Sequence, residues 1–402
     1  MALAAAVDEE DAGTSGAPPG PDVRPVPQAG QQPGWRDVAL LEEVRDDLRA
    51  RPGLTRAEDV ARLRRLLAEV AAGRRRVVQA GDCAEDPAEC TPGHVAGKAA
   101  MLDALAGAVQ RGSGRAVLRV GRLAGQFAKP RSQEFEQVEG RELPVYRGPM
   151  VNGPEPDATA RAPDPRRLVT GYELSSAVTA ALALHGRGPA GDSAVWTSHE
   201  ALLLDYERSL VRDDGRGGRL LASTHLPWIG ERTRQPGGAH VQLLAQVVNP
   251  VACKIGPDAT TDEVLALCAA LDPHRKPGRL TLIARMGAGR VLRALPPMVR
   301  TVREAGHPVV WLCDPVHGNT IRTSNGRKTR AVTAVVREVE GFQDAVIAER
   351  GVAGGLHLEA TPAPVGECVG RPGDEPDGPS TTLCDPRLNL SQALEVASAW
   401  RV

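Results

Sequence analysis

Residues 76–120 read RVVQAGDCAEDPAECTPGHVAGKAAMLDALAGAVQRGSGRAVLRV, and the fold follows from how this stretch divides. Arg76–Ala80 and Ala116–Val120 are short, β-rich runs with apolar character. Between them, residues 94–110 carry apolar side chains at helical spacing. Strands covered by helices on both faces read as near-continuous apolar runs rather than as strict alternation. A strand, a helix and a second such strand make one βα unit of a parallel sheet.

The same division recurs along the chain. Further runs lie at Ala194–Thr197, Leu220–Thr224, Val251–Ile255, Leu280–Ala284, Val309–Cys313 and Gly355–Glu359, which makes eight in all. Helical stretches near 166–185, 199–211, 238–247, 261–271, 289–305, 328–349 and 390–399 alternate with them. Eight βα units in series point to an α/β fold of the closed (β/α)8 TIM-barrel type, over residues 73–402. A doubly wound open sheet is the alternative, but no G-x-G-x-x-G or P-loop supports it. Ahead of the barrel, helical periodicity from Val38 to Leu48 and from Val60 to Val70 predicts an N-terminal helical extension over 33–72. Residues 1–32, rich in Ala, Gly, Pro and Asp, are expected to form a disordered or loose arm.

Bulk properties narrow the function. The chain has 402 residues and a net charge of −1, which makes no electrostatic case for nucleic acid or an acidic membrane as partner. No apolar run approaches the roughly 20 residues of a membrane span. The N-terminus lacks a basic region followed by a long apolar one, so a cytoplasmic protein is expected. The cysteines (Cys83, Cys90, Cys253, Cys268, Cys313, Cys368 and Cys384) are odd in number, widely spaced and free of C-x-x-C, which argues against a disulfide scaffold or zinc knuckle. Lysine is scarce: Lys98, Lys129, Lys254, Lys276 and Lys328 stand among 49 basic residues. A lysine in such a background marks places where a compact ammonium is needed rather than a guanidinium fork.

A barrel enzyme carries its chemistry at the C-terminal ends of its strands. Those ends hold two sets of groups here. One is cationic: Arg122, Lys129, Arg131, Arg232, Lys254 and Arg285. Cations converging on one mouth repel each other unless an anion sits among them, and arginine forks suit phosphate and carboxylate. The other set, Cys83, His317, Glu359 and Asp385, mixes thiolate, imidazole and carboxylate. That mixture suits Mn2+, Co2+, Fe2+ or Zn2+ better than Mg2+ or Ca2+. The irregular region Gly121–Pro165 is long for a compact domain and is dense in charge, which favours a functional loop.

Several motifs carry a resemblance. Gly81-Asp82-Cys83-Ala84-Glu85, the stretch from Gly121-Arg122-Leu123-Ala124-Gly125-Gln126 through Phe127-Ala128-Lys129-Pro130-Arg131-Ser132, and Trp196-Thr197-Ser198-His199-Glu200-Ala201 are three of them. Gly230-Glu231-Arg232-Thr233-Arg234, Cys313-Asp314-Pro315-Val316-His317-Gly318-Asn319-Thr320, Gly354-Gly355-Leu356-His357-Leu358-Glu359 and Cys384-Asp385-Pro386-Arg387-Leu388-Asn389 follow in order. From about residue 30 to the C-terminus the chain resembles class II (plant-type) 3-deoxy-D-arabino-heptulosonate 7-phosphate (DAHP) synthases. The resemblance implies a (β/α)8 barrel that condenses phosphoenolpyruvate with erythrose 4-phosphate in the shikimate pathway. It implies a divalent metal, Mn2+ or Co2+ foremost, held by Cys83, His317, Glu359 and Asp385. It puts Arg122, Glu231, Arg232, Lys254 and Arg285 around phosphoenolpyruvate, and Lys129, Arg131 and Ser132 around the aldehyde and its phosphate. Lys129, Glu231 and Arg232 become the catalytic groups. A homo-oligomer, dimer or tetramer, is expected.

The chain departs from the pattern at Arg147-Gly148-Pro149-Met150, at Ala80 before Gly81-Asp82-Cys83, and in Thr361–Cys368. It is also short for the family and similar to compact bacterial forms that serve antibiotic or phenazine pathways. The alternatives are therefore the same chemistry on an amino or imino analogue of the aldehyde, or a non-catalytic regulatory barrel. Cys384 precedes a proposed ligand, so its thiol is expected near Cys83.

Overall fold

The computed structural model describes residues 29–189 and 193–402. Eight parallel strands close into a barrel. They are β1 (Arg75–Gly81), β2 (Ala116–Arg122), β3 (Val195–Glu200), β4 (Leu226–Ile229), β5 (Val251–Ile255), β6 (Leu280–Ala284), β7 (Val310–Cys313) and β8 (Ala353–Glu359). Each strand pairs with its chain neighbours, and β8 closes on β1. Registers such as Gly81↔Arg122, Arg122↔Ser198 and Gly81↔Glu359 bring the strand ends to one rim.

Ten α-helices lie among the described residues: α1 (Val38–Ala50), α2 (Ala57–Ala71), α3 (Pro92–Ser113), α4 (Arg166–Leu184), α5 (Leu204–Ser209), α6 (Ala239–Ala245), α7 (Thr261–Leu271), α8 (Val291–Glu304), α9 (Val332–Ala348) and α10 (Leu390–Ser398). Their ends follow local chemistry. At α3, Thr91 accepts the N–H of His94, Pro92 opens the first turn, and Gly114 closes the helix in the left-handed conformation. At α10, Asn389 and Gln392 form a reciprocal capping box.

The barrel core divides into two layers. Between strands and outer helices lies the main apolar layer, from Val78 and Leu102 round to Val346 and Leu358. Inside the barrel, Val77, Leu118, Trp196, Leu226, Ala252, Ile283 and Val310 meet Leu63, Leu67 and Val70 of α2. Thus α2 plugs the N-terminal end. A third cluster sets α1 (Leu41, Val44, Leu48) against Phe127, Met150, Val151 and Tyr172, beneath the long loop after β2.

Three expected boundaries move. The fourth strand is Leu226–Ile229, not Leu220–Thr224; Arg219–Leu221 instead pairs antiparallel with Val211–Asp213 in a hairpin outside the barrel sheet. Pro227 disguises the true strand, because a proline lacks a ladder donor and argues against a central strand. The helix expected at 199–211 shrinks to α5, since β3 runs on through Glu200. The helix expected from 328 starts at Val332, because Lys328–Arg330 pairs with Thr320–Arg322 as a second hairpin. The region 121–165 contains a third, Phe135–Val138 with Arg141–Pro144.

Most of the arm expected over 1–32 lies outside the described residues. Residues 31 and 32 are pinned to the barrel: the Gln31 side chain accepts the N–H of Arg131 at 2.8 Å, and Gln32 donates to the Leu202 carbonyl at 2.8 Å. No helix among the described residues is long and apolar enough to cross a membrane.

Candidate active site at the C-terminal mouth

The loop after β2 carries Lys129 and is shaped by backbone constraints. Ala124 and Gly125 take positive φ of 61° and 137°. A Cβ at Gly125 would run into the His199 ring, so only glycine fits. The buried Glu85 carboxylate accepts the N–H groups of Ala124 (3.1 Å), Gly125 (2.9 Å) and Gln126 (2.8 Å). Lys129 then donates its backbone N–H to the Arg147 carbonyl at 2.9 Å, and its side chain turns into the mouth.

At the floor of that mouth, Cys83, Glu359 and Asp385 each offer a ligand atom, all within 4.8 Å of one another. The Lys129 ammonium lies 2.8 Å from Asp385 Oδ2, 3.3 Å from Glu359 Oε1 and in contact with Cys83 Sγ. His317 reaches the same Glu359 oxygen as Lys129, with Nε2 3.0 Å from Oε1, but is outside the three-residue cluster. Its Nδ1 lies 2.7 Å from Asp314 Oδ2, which orients the ring and leaves Nε2 facing the cluster. Arg330 secures Glu359 from behind at 2.7 Å, and Lys328 reaches Asp385 Oδ1 at 2.8 Å.

These groups shift each other strongly. Burial alone would raise the Glu359 carboxyl, but His317, Lys129 and Arg330 outweigh it and hold Glu359 well below the carboxylate range. Asp385 is depressed in the same way, with burial overcome by Lys129. Burial lowers the Lys129 ammonium, yet Cys83, Glu359 and Asp385 together keep it charged, well above its ordinary value. The Cys83 thiol is pushed well up by burial, by Cys384 and by Glu359. Cys384 is thus Cys83's neighbour, as its place before Asp385 implies.

The donor set fits a divalent transition ion: one soft sulfur, carboxylate oxygens already ionised, and an imidazole fixed through its far nitrogen. A cation there would also remove the pressure that keeps Cys83 protonated, since coordination deprotonates a thiol.

Around this floor opens a cavity of about 420 Å3. Arg122, Lys129, Arg131, Ser132, Glu231, Arg232, Lys254, Arg285, His317, Glu359 and Asp385 all line it, and Cys83 lies just beneath. Arg122 is fully buried, donating to the Asp82 carbonyl and to Glu359 Oε1, both at 3.0 Å, with its guanidinium 5.1 Å from the Trp228 ring centre. Lys254 pairs with Asp314 at 2.9 Å; burial and Arg122 depress it all the same. Arg232 donates to the Ser132 hydroxyl at 2.7 Å, joining the two phosphate candidates across the mouth. Arg285 Nε is buried without a partner.

Residues outside the expected set also belong here. Glu200, at the end of β3, lines the cavity with a buried, unpartnered Oε1. Arg234 holds Glu231 Oε1 at 2.9 Å and leaves Oε2 without a partner. Asp314 and Lys328 were within reach of the sequence, the first inside a quoted motif and the second among the scarce lysines. Arg330 had no such signal, because a lone arginine in a short hairpin strand looks like any other.

A family model described as the class-II DAHP synthetase family matches residues 22–192 and 179–400. The chain belongs to that family. A probable phospho-2-dehydro-3-deoxyheptonate aldolase of Pseudomonas fluorescens is 50% identical over 385 residues, covering 93% of this chain and 95% of that one. A phospho-2-dehydro-3-deoxyheptonate aldolase of Mycolicibacterium smegmatis is 38% identical, covering 91% of this chain and 90% of its own length. Among solved structures, a phospho-2-dehydro-3-deoxyheptonate aldolase from Francisella tularensis superposes with a TM-score of 0.51 at 14% identity, over 90% of this chain and 97% of that one, a likeness of fold alone. For a class II DAHP synthetase family member, the mouth described above is the place to look for the chemistry.

Proposed function

We propose that this chain joins phosphoenolpyruvate to erythrose 4-phosphate, giving DAHP and inorganic phosphate with the uptake of one water. The observation that carries this reading is the Lys129 ammonium lying between Cys83, Glu359 and Asp385 at the floor of a cavity lined by seven further cations. Two multiply charged substrates repel each other in water; converging guanidinium and ammonium groups hold them in attack geometry.

In this reading Arg122, Arg232, Lys254 and Arg285 clamp the phosphate and carboxylate of phosphoenolpyruvate, and Arg131 and Ser132 take the aldehyde's phosphate. A divalent ion on Cys83, His317, Glu359 and Asp385, Mn2+ or Co2+ foremost and Fe2+ or Zn2+ next, would supply Lewis acidity toward the aldehyde oxygen. C3 of phosphoenolpyruvate forms the new C–C bond, and the Lys129 ammonium, at the floor of the cavity, donates a proton to the developing alkoxide. Glu231, whose Oε2 is free while Arg234 fixes Oε1, orients the water that adds to C2; phosphate then departs. Seven unpaired thiols suit a cytoplasmic setting, and an assembly of two or four copies is read directly by light scattering.

The test is a reaction with purified protein and Mn2+ or Co2+, following phosphate release and product mass. Phosphoenolpyruvate should be consumed only when erythrose 4-phosphate is present. Phosphoenolpyruvate that stays intact with every metal tried would overturn the reading.

A further inference from the structure

Beneath the donor cluster runs a chain of buried charge that the chemistry above does not use. Lys98 Nζ lies 2.9 Å from Glu89 Oε2 and 2.6 Å from Asp82 Oδ2. Asp82 Oδ1 meets Arg387 Nη1 at 2.7 Å, and Arg387 Nη2 meets Glu367 Oε1 at 2.9 Å. Lys98, Asp82, Arg387 and Glu367 are each no more than 4% exposed. Isolated charges are not found at such depth; paired ones are retained where removing one partner would leave the other stranded.

The ends of this chain coincide with the ligands. Asp82 directly precedes Cys83 at the end of β1. Arg387 follows Asp385 by two residues, in a segment without helix or strand. Glu367 gathers that segment from both sides. Its Oε1 accepts the N–H groups of Thr381 and Thr382, each at 3.0 Å, and its Oε2 accepts the N–H of Arg387 at 2.7 Å. The Arg387 fork is used almost fully, since Nη2 also donates to Thr381 Oγ1 at 2.6 Å and Nε to Glu367 Oε2 at 3.2 Å. The clamp spans 305 positions of sequence, and the contact it supports, Asp385 N–H to Cys83 Sγ at 3.3 Å, spans 302.

We propose that Arg387 and Glu367 are positioning residues: they hold Asp385 against Cys83 and thereby set the affinity for the divalent ion without touching it. This rests on the reading of Cys83, Glu359 and Asp385 as ligands. Leu388, three residues on, is bridged to Ala360 beside Glu359, which fixes one side of the segment; the Arg387–Glu367 clamp fixes the side that carries Asp385 and so lowers the entropy cost of holding it at Cys83. A lysine at 387 would keep the charge and lose the fork that engages Asp82 and Glu367 together.

The experiment is a Co2+ titration of the full chain, read by the thiolate-to-cobalt charge-transfer band and by competition with a chelator. Wild type, Arg387→Lys, Glu367→Gln, Thr381→Val and Cys83→Ser are compared, each with a thermal melt of the metal-free protein. Arg387→Lys and Glu367→Gln should bind Co2+ about 10- to 100-fold more weakly, as loss of outer partners does elsewhere. At saturating Co2+, KM for phosphoenolpyruvate should stay within about twofold of wild type, since its contacts remain. Thr381→Val removes one outer hydrogen bond and should give a smaller weakening, which keeps the test sound if the buried variants fold poorly. Co2+ affinities within twofold of wild type, whatever happens to the melting temperature, would overturn the clamp. Wild-type protein without a charge-transfer band, or Cys83→Ser with undiminished affinity, would instead overturn the ligand assignment, and the clamp with it.

Discussion

At the N-terminal end of the barrel, α2 lays Leu63, Leu67 and Val70 against Val77, Leu118, Trp196 and Ile283, with little but carbon in contact. At the other end the same strands finish in Arg122, Glu200, Lys254 and Glu359, with Cys83, Lys129, His317 and Asp385 on the loops beyond. The first arrangement lowers free energy by removing apolar surface from water, about 1.5–3 kcal/mol for each fully buried large side chain. The second concentrates charge in a buried place, which costs desolvation and is balanced only by mutual pairing. One end therefore holds the fold, and the other spends stability on preorganised electrostatics.

The sharpest way to break this contrast is Cys83→Ala at the charged end. Loss of a ligand removes several kcal/mol of transition-state stabilisation, at about 1.4 kcal/mol per tenfold. Steady-state kinetics should show kcat/KM down by about 10³-fold or more, while the thermal melt of the metal-free protein moves little. A variant with near-normal turnover in the presence of chelator would mean that the floor cluster holds no metal that matters.

The opposite result is expected at the plugged end. Leu67 is 1% exposed within the barrel-bottom cluster. Leu67→Ala should cost about 3 kcal/mol in denaturant unfolding, from lost transfer energy and the cavity left behind. The surviving folded protein should keep kcat/KM within about twofold. A large kinetic loss without a stability loss would show that the two ends are coupled rather than separate.

The legibility of the sequence follows the same division. β5 and β6 are found where their apolar runs predict them, because strands buried on both faces carry an uninterrupted signal. β4 is displaced by six positions at its start because Pro227 interrupts its run, while Leu220 and Leu221 imitate one in a hairpin. At the mouth, residues embedded in long motifs were readable, and the cavity gathers them. Arg330 and Glu367 were not, since buried ion pairs such as Arg330–Glu359 and Arg387–Glu367 join residues 29 and 20 positions apart and leave no local pattern. Glu200 was quoted in a motif, yet only its unpartnered oxygen in the cavity distinguishes it from a surface carboxylate.

A third, somewhat smaller effect concerns acid. His225 is fully buried just ahead of β4, its ring edge-on to Trp196, and burial lowers its pKa to about 4. The unfolded chain takes up this proton near pH 6.5, whereas the folded one resists until about pH 4. As pH falls through that window the unfolded state binds the proton first, so stability is lost; it is fully present above about pH 6.5. Between pH 6.5 and 5 the loss from this group is about 2 kcal/mol. Denaturant melts at the two pH values measure it, and His225→Gln should shrink the difference by that amount. An unchanged difference would show that other groups carry the acid sensitivity.

The smallest effect sharpens the comparison most. Arg290 and Asp258 pair at 2.8 Å on loops after β6 and β5, at the same end of the barrel as the candidate active site. They are 46% and 83% exposed, against 2% and 0% for Arg122 and Glu359. If position at the C-terminal end were what mattered, Arg290→Ala would impair turnover as substitutions at the floor do. If burial is what makes a charge effective, water and salt already screen this pair, and its removal should change stability by less than about 1 kcal/mol. Its kcat/KM should match wild type at low and at high ionic strength. A loss that grows at low salt would show that long-range steering of anionic substrates extends the working surface beyond the cavity, and the boundary between the two regions would have to be drawn further out.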